Sequence, residues 1–362
     1  MSDQNKNKTT IDDFLKKKVK AIEVDSSKTV SQLLLEMAET GFQGKNLARV
    51  VDVFEQMIND DDVTILLGYT GSLSTTGQWK IINWLIENRY VDILVPTGAN
   101  ISEDIVDAMG FDYWQGSATA DNEVLFREGL NRYYDVYGKE TDYLVMTELL
   151  AEFIQTLNES YNYSSREFLL ECGKWLSQKN IPSIVAKAAE YGVPVFCPAI
   201  ADSPYGDAAL IAKSKGFSLT IDAIKDYVEF MTLGETVKDT AVIYIGGGVP
   251  KDFIQLFAVT GDLLYPDRQV PNREEALSRK GTGAAETYYP HKYAIQITTD
   301  SPQWGGLSGC TFEEAVSWGK EDPEGSLVQC YCDATIALPL VSHALAERIG
   351  KKRKGKDFSG VL

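Results

Sequence analysis

The sequence predicts an α/β fold in which helices cover both faces of a mostly parallel sheet. Short, nearly continuous apolar runs alternate along the chain with stretches of helical periodicity. Strands that are buried on both faces give such continuous runs, and they are typical of parallel sheets. Several runs end in glycine-containing loops, and parallel sheets bind ligands beyond the carboxyl ends of their strands. We therefore expect a Rossmann-like sheet whose binding site lies at that edge.

The predicted elements follow one another in a regular order. Residues 1–25 are polar, with a short amphipathic stretch at 11–19, and predict an N-terminal arm or peripheral helix. Apolar positions at three- and four-residue steps predict a helix within 31–58, and a second helix is predicted through 79–88. The runs predicted to be strands are 63–67, 91–95, 195–197, 242–245, 293–298 and 327–331.

The remaining segments are assigned from composition and local signals. Residues 110–164 are rich in tyrosine and acidic residues, and predict an insertion that decorates the sheet edge or packs against another subunit. Ser164 with Glu167 three residues later predicts a capping box at a helix start. No linker divides residues 26–350, which we expect to form one domain. Residues 351–362 predict a basic, solvated C-terminal tail.

Composition limits the possible functions. The net charge of −17 disfavours binding to nucleic acid or anionic membranes and favours cationic ligands such as polyamines. No apolar run approaches the roughly 18 residues of a membrane span, and the N-terminus lacks a secretory signal's apolar core. The five cysteines lack CxxC spacing, which fits a reducing cytoplasm and predicts neither a disulfide framework nor a zinc site. Only two histidines are present, so we expect no histidine-rich metal centre.

The segment 305–320 concentrates glycine, acidic residues and one lysine. Its glycine loop would allow a ligand close approach, and Thr311 predicts a helix N-cap with Glu314 as the reciprocal partner. Lys320 would follow this helix beside Trp318. Burial disfavours an ammonium ion, and deprotonation at neutral pH requires a shift of about three pKa units, roughly 4 kcal/mol. Lys320 is therefore a candidate nucleophile, or else a lysine that complements the helix dipole.

A dinucleotide site is predicted from several loops, since no GxGxxG motif is present. Residues 68–72 and 97–100 offer backbone N–H groups and hydroxyls where helices begin, a favourable place for pyrophosphate. Asp202 and Asp207 follow a predicted strand, and their carboxylates could accept hydrogen bonds from ribose hydroxyls. Each feature taken alone is more typical of a tight turn or a helix cap, and it is their joint placement at strand ends that favours a binding site.

Five sequence blocks between about residues 63 and 346 resemble the deoxyhypusine synthase family, in the family's order. They are LGYTGSLSTTG, VDILVPTGANISED, GVPVFCPAIADSPYGD, IYIGGGVPKDF and EAVSWGK with YCDA. The resemblance implies NAD-dependent transfer of a 4-aminobutyl group from spermidine, through an imine on Lys320, to an acceptor amine. The acceptor would be a lysine of a translation factor 5A-like protein or, as in homospermidine synthase, a free diamine. The alternative is a non-catalytic NAD-binding regulatory paralogue.

The resemblance also implies roles for individual residues. It places the NAD contacts at Thr70, Ser72, Ser74, Thr76, Thr97, Gly98, Ala99, Asp202, Asp207, Gly247, Gly248, Asp333 and Ala334. The polyamine would be bound by Glu103, Asp252, Ser308, Glu314 and Trp318, and Lys320 would be the nucleophile. The family also implies a homotetramer with sites at dimer interfaces.

Three positions depart from the family pattern. Asp252 stands where the family has a histidine, Leu307 replaces an aspartate, and Ser102 replaces the first of two glutamates.

Overall fold

The computed structural model describes residues 11–265 and 290–362. Its strands are β1 (Val63–Tyr69), β2 (Ile93–Pro96), β3 (Trp114–Gln115), β4 (Leu130–Tyr133), β5 (Val136–Lys139), β6 (Asn162–Tyr163), β7 (Thr220–Ile221), β8 (Asp239–Ile245), β9 (His291–Thr298) and β10 (Glu321–Tyr331). Its helices are α1 (Ile11–Phe14), α2 (Val30–Met37), α3 (Phe42–Asn59), α4 (Trp79–Glu87), α5 (Glu103–Ala108), α6 (Asn122–Arg127), α7 (Glu140–Ile154), α8 (Ser165–Gln178), α9 (Ile184–Tyr191), α10 (Pro204–Ser214), α11 (Ala223–Thr232), α12 (Gly248–Thr260), α13 (Phe312–Ser317) and α14 (Ala334–Arg348). No helix in these described parts is long and apolar enough to cross a membrane.

The central sheet has five strands in the order β10-β9-β8-β1-β2, and every pair in it is parallel. Successive side chains of a strand enter opposite cores: Ile65 and Leu67 belong to one buried cluster, whereas Leu66 belongs to the other. All seven residues of β1 are buried. The sheet is therefore covered on both faces, which confirms the predicted α/β layering.

Gly68 allows α12 to pack directly on β1. A Cβ atom at this position would lie 2.9 Å from Ile254 Cδ1 and 3.1 Å from the main-chain oxygen of Pro250. Both neighbours belong to α12, so a larger residue would push the helix away from the sheet. The glycine thereby sets the distance between α12 and the sheet. Two residues of the candidate site, Lys251 and Asp252, lie on α12.

Two predicted elements do not form as single elements of the predicted kind. The helical pattern at 31–58 is divided into α2 and α3, because the chain is extended at Gly41, the N-cap of α3. Residues 195–197 do not form a strand: Val195 makes a single parallel bridge to Leu94, and the chain then turns, with Ile200 N donating to Cys197 O. This bridge extends the β2 edge of the sheet by one residue.

The insertion at 110–164 contains a small antiparallel sheet, β3-β5-β4, together with α6 and α7. Strands β4 and β5 form a hairpin that turns at Tyr134 and Asp135. At the end of the insertion, the predicted capping box is confirmed: the Ser164 hydroxyl accepts from Glu167 N, and the Glu167 carboxylate accepts from Ser164 N. The hairpin projects toward the carboxyl edge of the central sheet.

Lys351, Lys352 and Lys354 of the basic C-terminal segment are exposed. Arg353 is buried, so the prediction of a solvated tail was wrong for this residue. Its guanidinium is buried and pairs with the fully buried carboxylate of Asp92 at 2.7 Å. Asp92 also accepts hydrogen bonds from Ile65 N at 2.9 Å and Lys356 N at 3.0 Å. The basic residue was misjudged because its partner lies far away in the chain.

Candidate active site

Four loops at the carboxyl ends of β1, β8, β9 and β10 surround a cleft of about 910 Å³, which opens to solvent. Main-chain bonds continue beyond the strands: Thr70 N donates to Ile245 O, and Gly246 N donates to Ile297 O. These bonds hold the loops in register with the sheet. The predicted residues that line the cleft are Thr70, Ser72, Thr76, Ser308, Asp333 and Ala334.

A glycine turn at the start of α12 lies between the loop that follows β1 and the loop that follows β9. Gly246 has φ 70°, and a Cβ atom there would overlap Thr70 Oγ1. A Cβ atom at Gly247 would overlap the backbone of Ser308. Gly248, the next residue, also has a positive φ of 61°. Only glycine permits this close approach of three segments.

The cleft has the donors and acceptors that a dinucleotide requires. Hydroxyl groups of Thr70, Ser72 and Thr76 line one side, and the carboxylates of Asp300 and Asp333 line the other. Its volume lies at the upper end of the range of ligand pockets, and glycines lie at the start of α12, where a backbone can approach a phosphate closely. These residues fit NAD at this edge of the sheet.

Other predicted cofactor residues lie outside this cleft. Ser74 is buried, and its hydroxyl donates to Asn100 O at 2.6 Å, so it supports the loop instead of facing the cleft. The residues Thr97, Gly98 and Ala99 precede Asn100 in the second loop, where Gly98 packs tightly against Ser203. Asp202 and Asp207 are exposed, before and within the first turn of α10. Neither aspartate lines the cleft.

Asn100 is a residue that the sequence analysis missed. Its amide nitrogen donates to Gly71 O and to Thr97 Oγ1, and its oxygen accepts from Leu73 N. The side chain is fully buried. It therefore ties the first two strand-end loops together, although an asparagine in a loop gives no distinctive signal of such a role.

Lys320 forms an ion pair with Asp252 of α12. Its Nζ is 3.0 Å from Asp252 Oδ1 and 5.5 Å from the centre of the Trp318 ring, and the lysine side chain is 11% exposed. The Trp318 ring itself is 65% exposed. The sequence predicted a lysine desolvated by tryptophan, but the structure gives it a carboxylate partner. This ion pair must open, and the ammonium must lose a proton, before Lys320 can act as a nucleophile.

The short helix α13 brings Lys320 to this position. The Thr311 hydroxyl accepts from Glu314 N at 3.1 Å, which confirms the predicted N-cap. The exposed Glu314 side chain does not complete a capping box in this described segment. After the helix, Lys320 N donates to Ala315 O, and Lys320 O accepts from His291 N. The backbone of Lys320 is thus fixed at the entrance of β10.

Lys251 is a buried lysine that the sequence analysis did not select. Its Nζ donates to Gln296 Oε1 at 3.0 Å, Leu307 O at 3.2 Å and Cys310 O at 2.8 Å. Three carbonyl oxygens match the three donors of an ammonium group. Burial lowers the pKa of Lys251, and repulsion from Lys320 acts in the same direction.

Two glutamine side chains complete this buried network. Gln296 donates to Gly246 O and Ser308 O, and thereby joins the glycine turn to the loop that follows β9. Gln329 donates to Gln296 Oε1 and accepts from Phe312 N, the first residue of α13. Adjacent residues of α12 therefore hold both ends of 307–320, Lys251 at its start and Asp252 at its end.

Glu103 and Asp104 form a separate buried acidic pair, which contacts the insertion at 110–164. Glu103 is 4% exposed, and its Oε2 has no hydrogen-bond partner among the described residues. Burial, assisted by the nearby charge of Asp104, raises the pKa of Glu103 to about 7. Burial also raises the pKa of Asp104 to about 7, although Asp104 accepts a hydrogen bond from Ile184 N. A buried carboxyl group without a partner is a candidate ligand for a cation.

Tyrosines of the insertion surround Glu103. The Tyr113 hydroxyl donates to the main-chain oxygen of Glu103 at 3.1 Å, and the Tyr113 and Tyr133 rings meet edge to face. Burial is the main cause of the raised pKa values of Tyr133 and Tyr143, and the negative charge of Glu103 raises both further. The charge of Asp207 also raises the pKa of Tyr143. In the described part of the chain, no hydrogen bond or ion pair joins Glu103 to Lys320, so the predicted substrate residues Glu103 and Asp252 lie in separate places.

A family model and the similar curated proteins carry the same family name. The family model for deoxyhypusine synthase matches residues 32–345. A "Probable deoxyhypusine synthase 2" of Archaeoglobus fulgidus is 45% identical over 90% of this chain and 100% of its own length. The protein of the same name from Methanosarcina mazei is 42% identical, over 92% of this chain and 91% of its own length.

A more distant relative and a solved structure extend the comparison. A "Deoxyhypusine synthase-like protein" of Chlorobaculum parvum is 34% identical over 96% of this chain and 95% of its own length. A solved structure from Entamoeba histolytica that carries the same family's name aligns with a TM-score of 0.61 at 18% identity, covering 93% of this chain and all of its own. That likeness concerns the fold. The sequence matches, which span most of the chain, show that it belongs to the deoxyhypusine synthase family.

Proposed function

We propose that the protein is an NAD-dependent transferase that moves a 4-aminobutyl group from spermidine, or a related polyamine, to an acceptor amine. The observation that supports this most directly is Lys320, a nearly buried lysine within EAVSWGK that is held between Asp252 and Trp318. A lysine amine can capture a carbonyl or imine carbon and form a covalent enzyme intermediate. The glycine- and hydroxyl-lined cleft supplies the second requirement, a place for the cofactor.

The cofactor residues would be those that line the cleft, notably Thr70, Ser72, Thr76, Asp333 and Ala334. NAD bound there would supply a hydride acceptor for the polyamine and a hydride donor at the end of the cycle. Asp252 and Glu314 would bind substrate ammonium groups by charge-assisted hydrogen bonds. The exposed face of Trp318 would contact the cationic chain.

Lys320 would perform the covalent step. A substrate ammonium that binds Asp252 replaces Lys320 in the ion pair and releases the lysine side chain. After loss of a proton, the Nζ lone pair forms a bond to the imine carbon of the oxidised donor, and 1,3-diaminopropane leaves with the C–N bonding electrons and a proton. The aminobutyl unit is then held as an imine on Lys320, ready for attack by the acceptor amine.

The acceptor in this proposal is a lysine of a translation factor 5A-like protein. A free diamine is the alternative, and would make the protein a homospermidine synthase-like enzyme. Asp252 and Leu307, where the family pattern has histidine and aspartate, instead favour a changed donor or a non-catalytic, NAD-binding regulatory paralogue. A protein acceptor predicts a modified lysine on the partner, and a diamine acceptor predicts a free polyamine product.

The assembly and location are also proposed from the family. A homotetramer with sites at dimer interfaces would bring the Glu103 group of one subunit toward the Lys320 group of another. The separation of these groups within one chain supports that arrangement. The five cysteines are all free thiols, which supports a cytoplasmic location.

Borohydride trapping tests the proposed reaction. The purified protein is incubated with NAD and labelled spermidine, reduced, and examined by intact mass and peptide mapping. We expect an aminobutyl adduct on Lys320 and an equal amount of released 1,3-diaminopropane. A protein that binds NAD but forms no adduct with spermidine or related polyamines would contradict the proposal and favour the regulatory paralogue.

The Glu103 carboxyl group predicts a pH dependence of polyamine binding. Because its pKa is raised to about 7, the group is mostly neutral below this pH and becomes an anion as the pH rises through it. Since a cation binds the anionic form, we expect the dissociation constant for spermidine to increase by up to about tenfold for each pH unit below 7. Equilibrium dialysis with labelled spermidine measures this.

Asp104 provides the control for this pH dependence, because its pKa lies in the same range. Glu103→Gln should weaken spermidine binding and remove the pH dependence. Asp104→Asn should retain the dependence but move it to lower pH, because the charge of Asp104 no longer raises the pKa of Glu103. The tyrosines at 113, 133 and 143 stay neutral in this pH range, since burial raises their pKa values. A pH dependence that survives Glu103→Gln would show that another group binds the cation.

A further inference from the structure

The β4–β5 hairpin of the insertion forms part of the wall of the cleft. Tyr133, Tyr134 and Asp135 line it together with Thr70 and Asp333, which belong to the central sheet's loops. The insertion was expected to decorate the sheet edge or to contact another subunit. The structure brings its turn to the place where the cofactor is proposed to bind.

Tyr134 occupies a conformation that tyrosine rarely adopts. Its φ angle is 57°, in the left-handed region where glycine and asparagine are the usual residues. The Tyr134 side chain is 75% exposed, so its packing within the chain does not offset the conformational cost. The two-residue β4–β5 turn itself requires a positive φ at its first residue, so a tyrosine is kept there at a conformational cost, which a function of its side chain would explain.

The position of the turn is fixed independently of the Tyr134 ring. Arg132 Nη1 donates to Tyr134 O at 2.7 Å, and Arg132 Nε donates to Asn122 Oδ1 at 2.8 Å. The turn is therefore held through its main chain from the side of α6. These contacts would persist if the tyrosine ring were removed.

The cleft otherwise contains few groups that could bind a planar ring. Apart from Tyr133 and Tyr134, its described lining consists of small, aliphatic, hydroxyl-bearing, thiol and carboxylate residues. The Tyr133 ring already packs against Tyr113, with ring centres 6.3 Å apart and planes at 85°. Tyr134 is the aromatic side chain that remains exposed at the cleft.

We propose that Tyr134 stacks on a planar heteroaromatic ring of the dinucleotide that occupies the cleft, so that the hairpin is a wall of the cofactor site. The inference depends on the proposed function for the identity of the ligand as NAD. Stacking of an aromatic side chain on a base uses the π face of both rings and requires no particular hydrogen-bond pattern.

Calorimetric titration of the full-length protein with NAD tests this contact in two variants. Tyr134→Gly removes the ring and suits the left-handed backbone, while Tyr134→Phe keeps the ring and removes the hydroxyl group. We expect the phenylalanine variant to bind NAD like the wild type and the glycine variant to bind about tenfold or more weakly. The melting temperature of the unliganded glycine variant should equal or exceed that of the wild type, because the backbone strain is relieved.

The outcomes separate this inference from the proposed function. If the wild type binds NAD and Tyr134→Gly binds equally well, the stacking contact is wrong while the cofactor site stands. An equal loss in both variants would assign the effect to the hydroxyl group and overturn stacking. A wild type that does not bind NAD would overturn the proposed function and, with it, this inference. AMP and nicotinamide mononucleotide, the two halves of NAD, can be titrated separately. Tyr134→Gly should weaken the binding of only one of them, the half whose ring stacks on Tyr134.

Discussion

Replacement of Lys320 by arginine is expected to abolish aminobutyl transfer while leaving the fold and NAD binding intact. Arginine keeps the positive charge and can retain the ion pair with Asp252, which is 3.0 Å from Lys320 Nζ. A guanidinium is always protonated in proteins and cannot form the imine. Loss of a covalent nucleophile lowers the rate by at least about a thousandfold. Product formation by mass spectrometry and the melting temperature together measure both parts of this prediction.

Lys187→Arg is the matched control for this substitution. Lys187 also forms close ion pairs, with Glu87 at 3.0 Å and Glu190 at 2.9 Å, but it lies on α9, outside both candidate groups. The same chemical change there should leave transfer unchanged. If Lys320→Arg catalysed transfer at the wild-type rate, Lys320 would not be the nucleophile.

Replacement of Arg353 by methionine is expected to destabilise the protein by about 3–5 kcal/mol, because it leaves the carboxylate of Asp92 buried without its charged partner. Methionine retains much of the apolar volume of the side chain, so the loss reports mainly the unpaired charge. Chemical denaturation gives the free energy of unfolding. The double variant Arg353→Met with Asp92→Asn should recover part of this loss.

Lys174→Met provides the surface comparison. Lys174 pairs with Glu171 at 2.8 Å, but both side chains are about half exposed. Such pairs contribute about 0–1 kcal/mol, so the substitution should change the free energy of unfolding little. A similarly small change in the free energy of unfolding for Arg353→Met would show that water reaches the Asp92 carboxylate. Arg353 would then not be needed to neutralise it.

The sequence predicted those parts of the fold that depend on local pattern. Buried parallel strands give apolar runs, so β1, β8 and β9 could be located from the sequence within a few residues of their ends. The Ser164 and Thr311 caps were found because their signals span four residues. Residues 195–197 were misassigned, since an apolar run has the same composition whether it makes one bridge or a full strand.

The unpredicted features depend on partners that are distant in sequence. Lys251 was missed because its acceptors lie on β9 and on the loop after it. Burial of Arg353 depends on Asp92, which is 261 residues away. The role of Tyr134 at the cleft depends on where the hairpin is placed. Residue patterns record periodicity and turns, but they do not record which distant segments meet.

The strand order has a consequence for how the chain folds. Strand β1 pairs with β8, and Leu66 lies opposite Val242, although helices α4 to α11 lie between the two strands in the chain. Closing so long a loop costs entropy before any pairing compensates, so sheets of this kind assemble slowly. Until β8 arrives, one edge of the apolar strand β1 is unpaired and can associate with other chains. Productive refolding should therefore compete with aggregation, and dilute protein should give the higher yield.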